Sequence, residues 1–297
     1  MSNKKVAVKL LADSGQRLRY KMTWKDGSKL VLKVNIGKNP MLKNFLDREQ
    51  VALEVLKGLA VPERASLKRN DIAKILSLSK NQKKFSYVAM EWVSWPHCWE
   101  RNLTPDEALG VWVWALEQMC AFRRKGVLYS DIKAVHLLVS EDFTQAKIID
   151  FDTCLMVEPE GLYPIDLLQF TPQFSAPEFC FLAEHSERIL TYQMGILLGG
   201  LLVVGLDNAR LNVESLEMMK SKFQKSNNTA VTKVFEACIS HDPNLRPGDL
   251  EDLFAQVLKA GLSPATIRIW DQLRSPYLKK LLKLGFPEHI STQIQAA

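Results

Sequence analysis

Hydrophobic and polar positions alternate along the first third of the chain and give way to longer, helix-spaced stripes. Residues 4–11 and 17–24 read as strands around Ala12-Asp13-Ser14-Gly15-Gln16. The turn Lys25-Asp26-Gly27-Ser28 is a strong hairpin signal, because an Asp-Gly pair supplies the positive φ that tight turns need. A third strand follows as Lys29 to Val34. Asn44 to Leu59 places Phe45, Leu53 and Leu56 among its apolar positions, with Gly58 near its end, and reads as a helix. Ser86 to Val93 reads as a strand running into a connection. Thr104-Pro105-Asp106-Glu107 combines a capping box with proline at the first helical position, and predicts a helix that runs to about Lys125 and stops at Gly126.

Further on, two short apolar runs at 137–140 and 146–150 read as buried strands joined through Glu141-Asp142. Helices are expected near 188–205, 229–240 and 248–260. Residues 265–297 are helical in pattern, with Leu273, Tyr277, Leu281 and Leu284 roughly on one side; this tail is expected to pack on the body of the protein.

Composition narrows the picture. At 297 residues, 47% hydrophobic and 24% charged, the chain is an ordinary globular length and mixture. Five cysteines without paired spacing argue against disulfides and zinc and fit a reducing compartment. The start Met1-Ser2-Asn3-Lys4-Lys5 leads into no apolar segment of the secretory kind. The longest apolar run, Met194 to Leu206, falls short of the ~20 residues of a membrane span. A cytoplasmic protein without a membrane span is therefore expected.

The net charge of +6 conceals an asymmetry: residues 1–85 hold 20 Lys/Arg against 7 Asp/Glu, and residues 86–297 hold 19 against 26. A basic half is either a solvated surface or an attraction for anions such as nucleotide phosphates. Nucleic acid is disfavoured, because no aromatic-basic interleaving accompanies the charge.

The chemistry concentrates between Tyr129 and Asp152. Asp131 and Lys133 sit on a loop before one strand, and Asp150 ends the next, so two carboxylates and an ammonium reach one edge of a rigid hairpin. Phosphoryl transfer needs this kit: one Asp to orient a hydroxyl, one to hold a metal, and a Lys to neutralise charge.

These residues resemble the catalytic loop and metal-binding motif of protein kinases. The pattern His-Arg-Asp-x-Lys-x-x-Asn stands here as Tyr129-Ser130-Asp131-Ile132-Lys133-Ala134-Val135-His136, and Asp-Phe-Gly as Asp150-Phe151-Asp152. Thr171-Pro172-Gln173-Phe174-Ser175-Ala176-Pro177-Glu178 is similar to the segment ending in Ala-Pro-Glu. His241-Asp242-Pro243-Asn244-Leu245-Arg246-Pro247 is similar to the late motif whose arginine pairs with that Glu. The resemblance covers about residues 5 to 260.

It implies an α+β, two-lobed protein kinase-like fold: a small antiparallel β lobe (1–93) of five strands and one helix, a mainly helical large lobe (94–262) and a helical C-terminal tail (263–297), with ATP between the lobes. It implies catalytic roles for Asp131, Lys133 and Thr171. It implies ATP binding by Lys33, its ion-pair partner Glu49 (with Glu54 as rival), Gly15, the gatekeeper Met90, and the hinge from Glu91 to Val93. It implies Mg2+ or Mn2+ held by Asp150, His136 and Asp152, where His136 stands at the place of an Asn and Asp152, at the place of a Gly, offers a compensating oxygen.

Departures are plain. Only Gly15 remains of a glycine-rich loop. Ser130 stands where an arginine reads activation-loop phosphate, so a switch through Thr153 or Tyr163 by that route is not expected. The Asp that usually anchors the catalytic loop from beneath aligns near Leu190. Three readings stay open: a divergent serine/threonine kinase acting on a protein hydroxyl, a pseudokinase that binds nucleotide or scaffolds, and a small-molecule or sugar kinase.

Overall fold

The computed structural model describes residues 6–13, 17–36, 40–78, 84–157, 163–164, 171, 174–180, 184–202, 221 and 229–288. The chain forms two compact units. The first comprises Met1–Lys57, Val61–Ser94 and Asp150–Asp152; the second comprises Gly58–Ala60, Trp95–Ile149 and Thr153–Ala297. The class is α+β, with one antiparallel sheet near the N-terminus and a mostly helical remainder.

In the first unit, β1 (Val6–Asp13), β2 (Arg17–Trp24), β3 (Lys29–Ile36) and β4 (Phe85–Glu91) form a sheet in sequence order. The β2–β3 hairpin closes through Gly27 at φ 83°, as the Asp-Gly signal predicts, with the Asp26 carboxylate accepting from the Ser28 backbone N–H at 3.0 Å. Alternation decides the faces, because successive side chains of a strand point to opposite sides. Met22, Leu32, Val34, Phe85 and Ala89 bury one face together with Ile72 and Ala73 of a short helix, α2 (Arg69–Ile75). The other face carries Arg17, Arg19 and Lys21 of β2 opposite Asn35, Lys33 and Val31 of β3.

Helix α1 (Pro40–Val55) begins four residues before the expected Asn44. Proline suits the first turn, where its missing N–H has no helical partner. Leu46, Leu53 and the Glu49 side chain are buried on one stripe.

The resemblance implied five strands and one helix. Among the described residues the sheet has four, and this unit contains two helices. Residues 69–75 are too short to show periodicity, and α2 forms because Ile72 and Ala73 cover the apolar sheet face. Residues 63–65 add an irregular edge to β4: Ala65 N–H donates to the Ala89 carbonyl at 2.8 Å and Glu91 N–H to the Glu63 carbonyl at 2.8 Å.

The second unit is built on α3 (Pro105–Arg124). Thr104 caps it in a two-way box with Glu107, satisfying two backbone donors that lack helical partners. From Ala108 to Arg123 every residue of α3 is buried. Against it pack α4 (Arg188–Leu202), α6 (Leu250–Ala260) and α7 (Pro264–Arg274); α5 (Thr229–Cys238) packs on α4 and α6, and α8 (Leu278–Lys283) follows.

Two glycines permit close approach. A Cβ on Gly110 would lie 2.7 Å from Ile269 Cγ2, and one on Gly195 would lie 2.8 Å from the Cys238 Cβ. The tail helix α7 is bound to α3 by a buried ion pair: an Arg274 guanidinium nitrogen lies 2.9 Å from Glu117 Oε1, and Trp270 Nε1–H donates to Glu117 Oε2 at 3.1 Å. Short strands β5 (Val127–Leu128), β6 (Leu137–Val139), β7 (Ala146–Ile148) and β8 (Leu155–Met156) pair as β5–β8 and β6–β7. They fix the ends of the loop that carries Asp131. Two further strands, β9 (Tyr163–Pro164) and β10 (Glu184–His185), pair with each other.

Candidate functional site

Lys33 lies on β3 facing away from the apolar core, with 6% of its side chain exposed. Its ammonium donates to Glu49 Oε1 at 2.6 Å and to Asp150 Oδ1 at 2.6 Å. An ammonium this buried needs such partners, since desolvating an unpaired charge is expensive. Glu49, fully buried on α1, also accepts from the Phe151 N–H at 3.3 Å. Glu54, the rival partner, is exposed and binds Arg64 at 3.1 Å instead. Asp150 adopts φ 69°, the left-handed region that Asp tolerates better than most residues. Asp152 is buried and ion-paired with Arg17, the first residue of β2.

Met90 is buried in β4 opposite Val31, and Trp92 N–H donates to the Lys29 carbonyl at 3.3 Å just beyond Glu91. Val93 lies in the irregular stretch after β4. Gly15 falls outside the described residues.

In the second unit Asp131, Lys133 and Thr171 close a ring of polar contacts. Thr171 Oγ1–H donates to Asp131 Oδ1 at 2.8 Å, Lys133 Nζ donates to Thr171 Oγ1 at 2.8 Å, and Lys133 Nζ lies 2.7 Å from Asp131 Oδ2. Each of the three is thereby held by the other two. The Glu178–Arg246 pair is also formed, as a two-pronged contact at 2.6 and 2.9 Å that bridges the stretch after Thr171 to the loop before α6. A planar guanidinium suits a carboxylate in this geometry.

Two residues that sequence reasoning did not single out support the Asp131 loop. Gln193, on the buried face of α4, donates from Nε2 to the Ser130 carbonyl at 2.9 Å. This neutral tether reaches the loop from a position three residues beyond Leu190, the place where the resembling family carries its anchoring Asp. Tyr129 is the second. Its hydroxyl donates to the Ile149 carbonyl at 2.7 Å and lies 2.7 Å from His136 Nδ1, which also lies 3.1 Å from the Asp131 carbonyl. With the one phenolic hydrogen spent on Ile149, the imidazole hydrogen belongs on Nδ1, and the lone pair of a neutral ring on Nε2.

The expected metal set fares differently. Among the described residues, no group of three or more His, Cys, Asp or Glu side chains stands together as a metal cluster. His136 is engaged through Nδ1 with Tyr129, and Asp152 with Arg17, so each has a partner other than a metal ion. Asp150 is the most exposed of the three carboxylate and imidazole groups, at 18% of its side chain, and carboxylate oxygen is the donor that magnesium prefers.

No protein-family model matches the chain. A stretch of 127 residues, 41% of this chain, is 28% identical to a probable LIM domain-containing serine/threonine-protein kinase of Dictyostelium discoideum. The match spans 19% of that protein's length, so the likeness hints at a kinase relationship for part of the chain only. No helix among the described residues is long and apolar enough to cross a membrane.

Proposed function

We propose that the chain is an ATP-dependent phosphotransferase, a divergent serine/threonine protein kinase that passes the γ-phosphate to a protein hydroxyl. The observation that carries this reading is the Lys33 ammonium held at 2.6 Å by both Glu49 and Asp150. A buried cation fixed by one carboxylate and shared with a second, partly exposed one is suited to pairing with nucleotide phosphates. The Asp131–Thr171–Lys133 ring supplies the other requirement. Asp131 would accept the hydrogen bond of the attacking hydroxyl, and Lys133 would offset charge building on the transferred phosphoryl group. A magnesium or manganese ion would neutralise phosphate charge, and Asp150 would be the residue to hold it.

The test is transfer of radiolabelled γ-phosphate from ATP to mixed protein substrates, with magnesium and with manganese, beside a thermal-shift titration of ATP. Transfer that disappears in both Asp131→Asn and Asp150→Asn supports the reading. ATP-dependent stabilisation without transfer to any acceptor turns it into a nucleotide-binding protein. Transfer to sugars or small alcohols but not to proteins turns it into a small-molecule kinase.

A further inference from the structure

The sheet face around Lys33 carries an unusual charge pattern. Lys9, Arg17, Arg19, Lys21, Lys29 and Lys33 all project on it, and the register sets Lys9 directly across from Lys21 and Arg19 directly across from Lys33. Like charges facing each other across an antiparallel pair destabilise it. Lys21 offsets part of this by lying 4.0 Å over the Trp92 ring. The opposite face is apolar and buried, so a one-residue slip of register cannot relieve the repulsion. A face that concentrates cations at a cost to its own folding is built for an anion.

Within it, Arg17 is ion-paired with Asp152. It opens β2, and the three residues that precede it in the sequence hold a single glycine. Burial weakens its charged form, Asp150 supports it, and Arg19 opposes it. A buried ion pair adds little net stability over an apolar pair, so the Arg17–Asp152 contact is not explained as a fold stabiliser. The segment 150–152 is meanwhile held by two other contacts, Asp150 on Lys33 and the Phe151 N–H on Glu49. It does not need Asp152 to stay in place.

We propose that Arg17 is a phosphate-binding residue, supplying the donors that backbone N–H groups of a glycine-rich turn would otherwise provide, and that Asp152 is its counter-ion until a polyphosphate displaces it. This rests on reading the first unit as the nucleotide-binding one. The guanidinium offers a forked set of donors matched to two phosphate oxygens, and exchanges one carboxylate for a more highly charged partner. On this view Asp152 is a competitor of the ligand, not a metal oxygen compensating for His136.

The test measures the affinity of the full chain for inorganic tripolyphosphate and for ATP by calorimetry in EDTA, at two salt concentrations. Asp152→Asn, which removes the competing charge, is expected to tighten both several-fold. Arg17→Ala is expected to weaken both by roughly ten- to a hundredfold, the loss of one charge-assisted contact. Arg17→Lys, which keeps the charge and the fold, should fall between. In the Arg17→Ala/Asp152→Asn pair the gain from Asn should vanish. Unchanged or weaker binding in Asp152→Asn, or unchanged binding in folded Arg17→Ala, overturns the proposal. No transfer enters this measurement, so the two readings fail separately. Arg17-dependent polyphosphate binding in a protein that never transfers phosphate defeats only the kinase. Transfer with Arg17-independent binding defeats only the phosphate grip.

Discussion

Replacing Thr171 with valine tests the catalytic ring most cleanly. Valine keeps the branched shape and nearly the volume but deletes the hydroxyl that donates to Asp131 at 2.8 Å and accepts from Lys133 at 2.8 Å. Hydrogen bonds to ionised groups contribute about 1.5–3 kcal/mol. The direct Lys133–Asp131 contact at 2.7 Å survives, so the two charged groups remain paired but lose their fixed orientation. If one such bond is lost from the transition state, turnover should fall about 10- to 150-fold. The KM for ATP should stay nearly constant, because the hydroxyl acts on the transferring group rather than on ground-state binding. Thr171 is half-buried, so water can replace part of what is lost in the resting fold, and the melting temperature should move little. Steady-state transfer rates of wild type, Thr171→Val and Thr171→Ser decide the matter, with serine expected to restore most of the rate. A valine variant within twofold of wild type would show that Thr171 is a turn residue and that the ring does not act in transfer.

Other perturbations have equally definite outcomes. Glu49→Gln keeps the shape of a fully buried side chain but leaves Lys33 with Asp150 as its charged partner; ATP-dependent thermal stabilisation and transfer should both drop, and an unaltered ATP response would dissociate the pair from nucleotide binding. Gly110→Ala forces a methyl group against Ile269 and should cost about 1–3 kcal/mol in denaturant unfolding, with Ile269→Ala restoring part of it. Burial pushes the Cys98 and Cys238 thiols up to about 12 from an ordinary 9.0. The folded state then keeps protons that the unfolded state releases, so their contribution is present below pH 9 and lost between pH 9 and 12. Alkaline melts of Cys98→Ala and Cys238→Ala should show a shallower decline than wild type over that window, and parallel curves would count against the assignment.

Much of this architecture can be read from one sequence. Period-two alternation locates β2 and β3, the Asp-Gly turn places their hairpin, and the Thr104 capping box starts α3 at the right residue. Motif spacing singles out Lys33, Glu49, Asp131 and Thr171, and the structure sets Lys33 beside Glu49 and Thr171 beside Asp131. Other features leave no local trace. α2 spans seven residues and owes its helicity to the sheet face it covers. Gln193 was invisible because a tether is defined by what lies across space, 63 positions away, and a glutamine inside an apolar run looks like a tolerated polar residue. The pairing of Asp152 with Arg17 leaves no local trace either, because the two lie 135 positions apart. Periodicity reports which side chains are buried; it does not report with whom.

β1 closes one side of the sheet as an eight-residue border strand whose only ladder partner among the described residues is β2. Nearly all of it is exposed, including Val8, Leu10 and Leu11 at 37%, 48% and 41%. A long border with unspent N–H and C=O groups and greasy side chains is a template on which a second molecule can crystallise a strand of its own. Two features blunt it: the register break between Leu10 and Ala12, which disrupts straight pairing, and Lys9, which repels an identical strand laid in antiparallel register at that point. Lys9→Val should leave the melting temperature almost unmoved, yet make light scattering grow steeply with protein concentration.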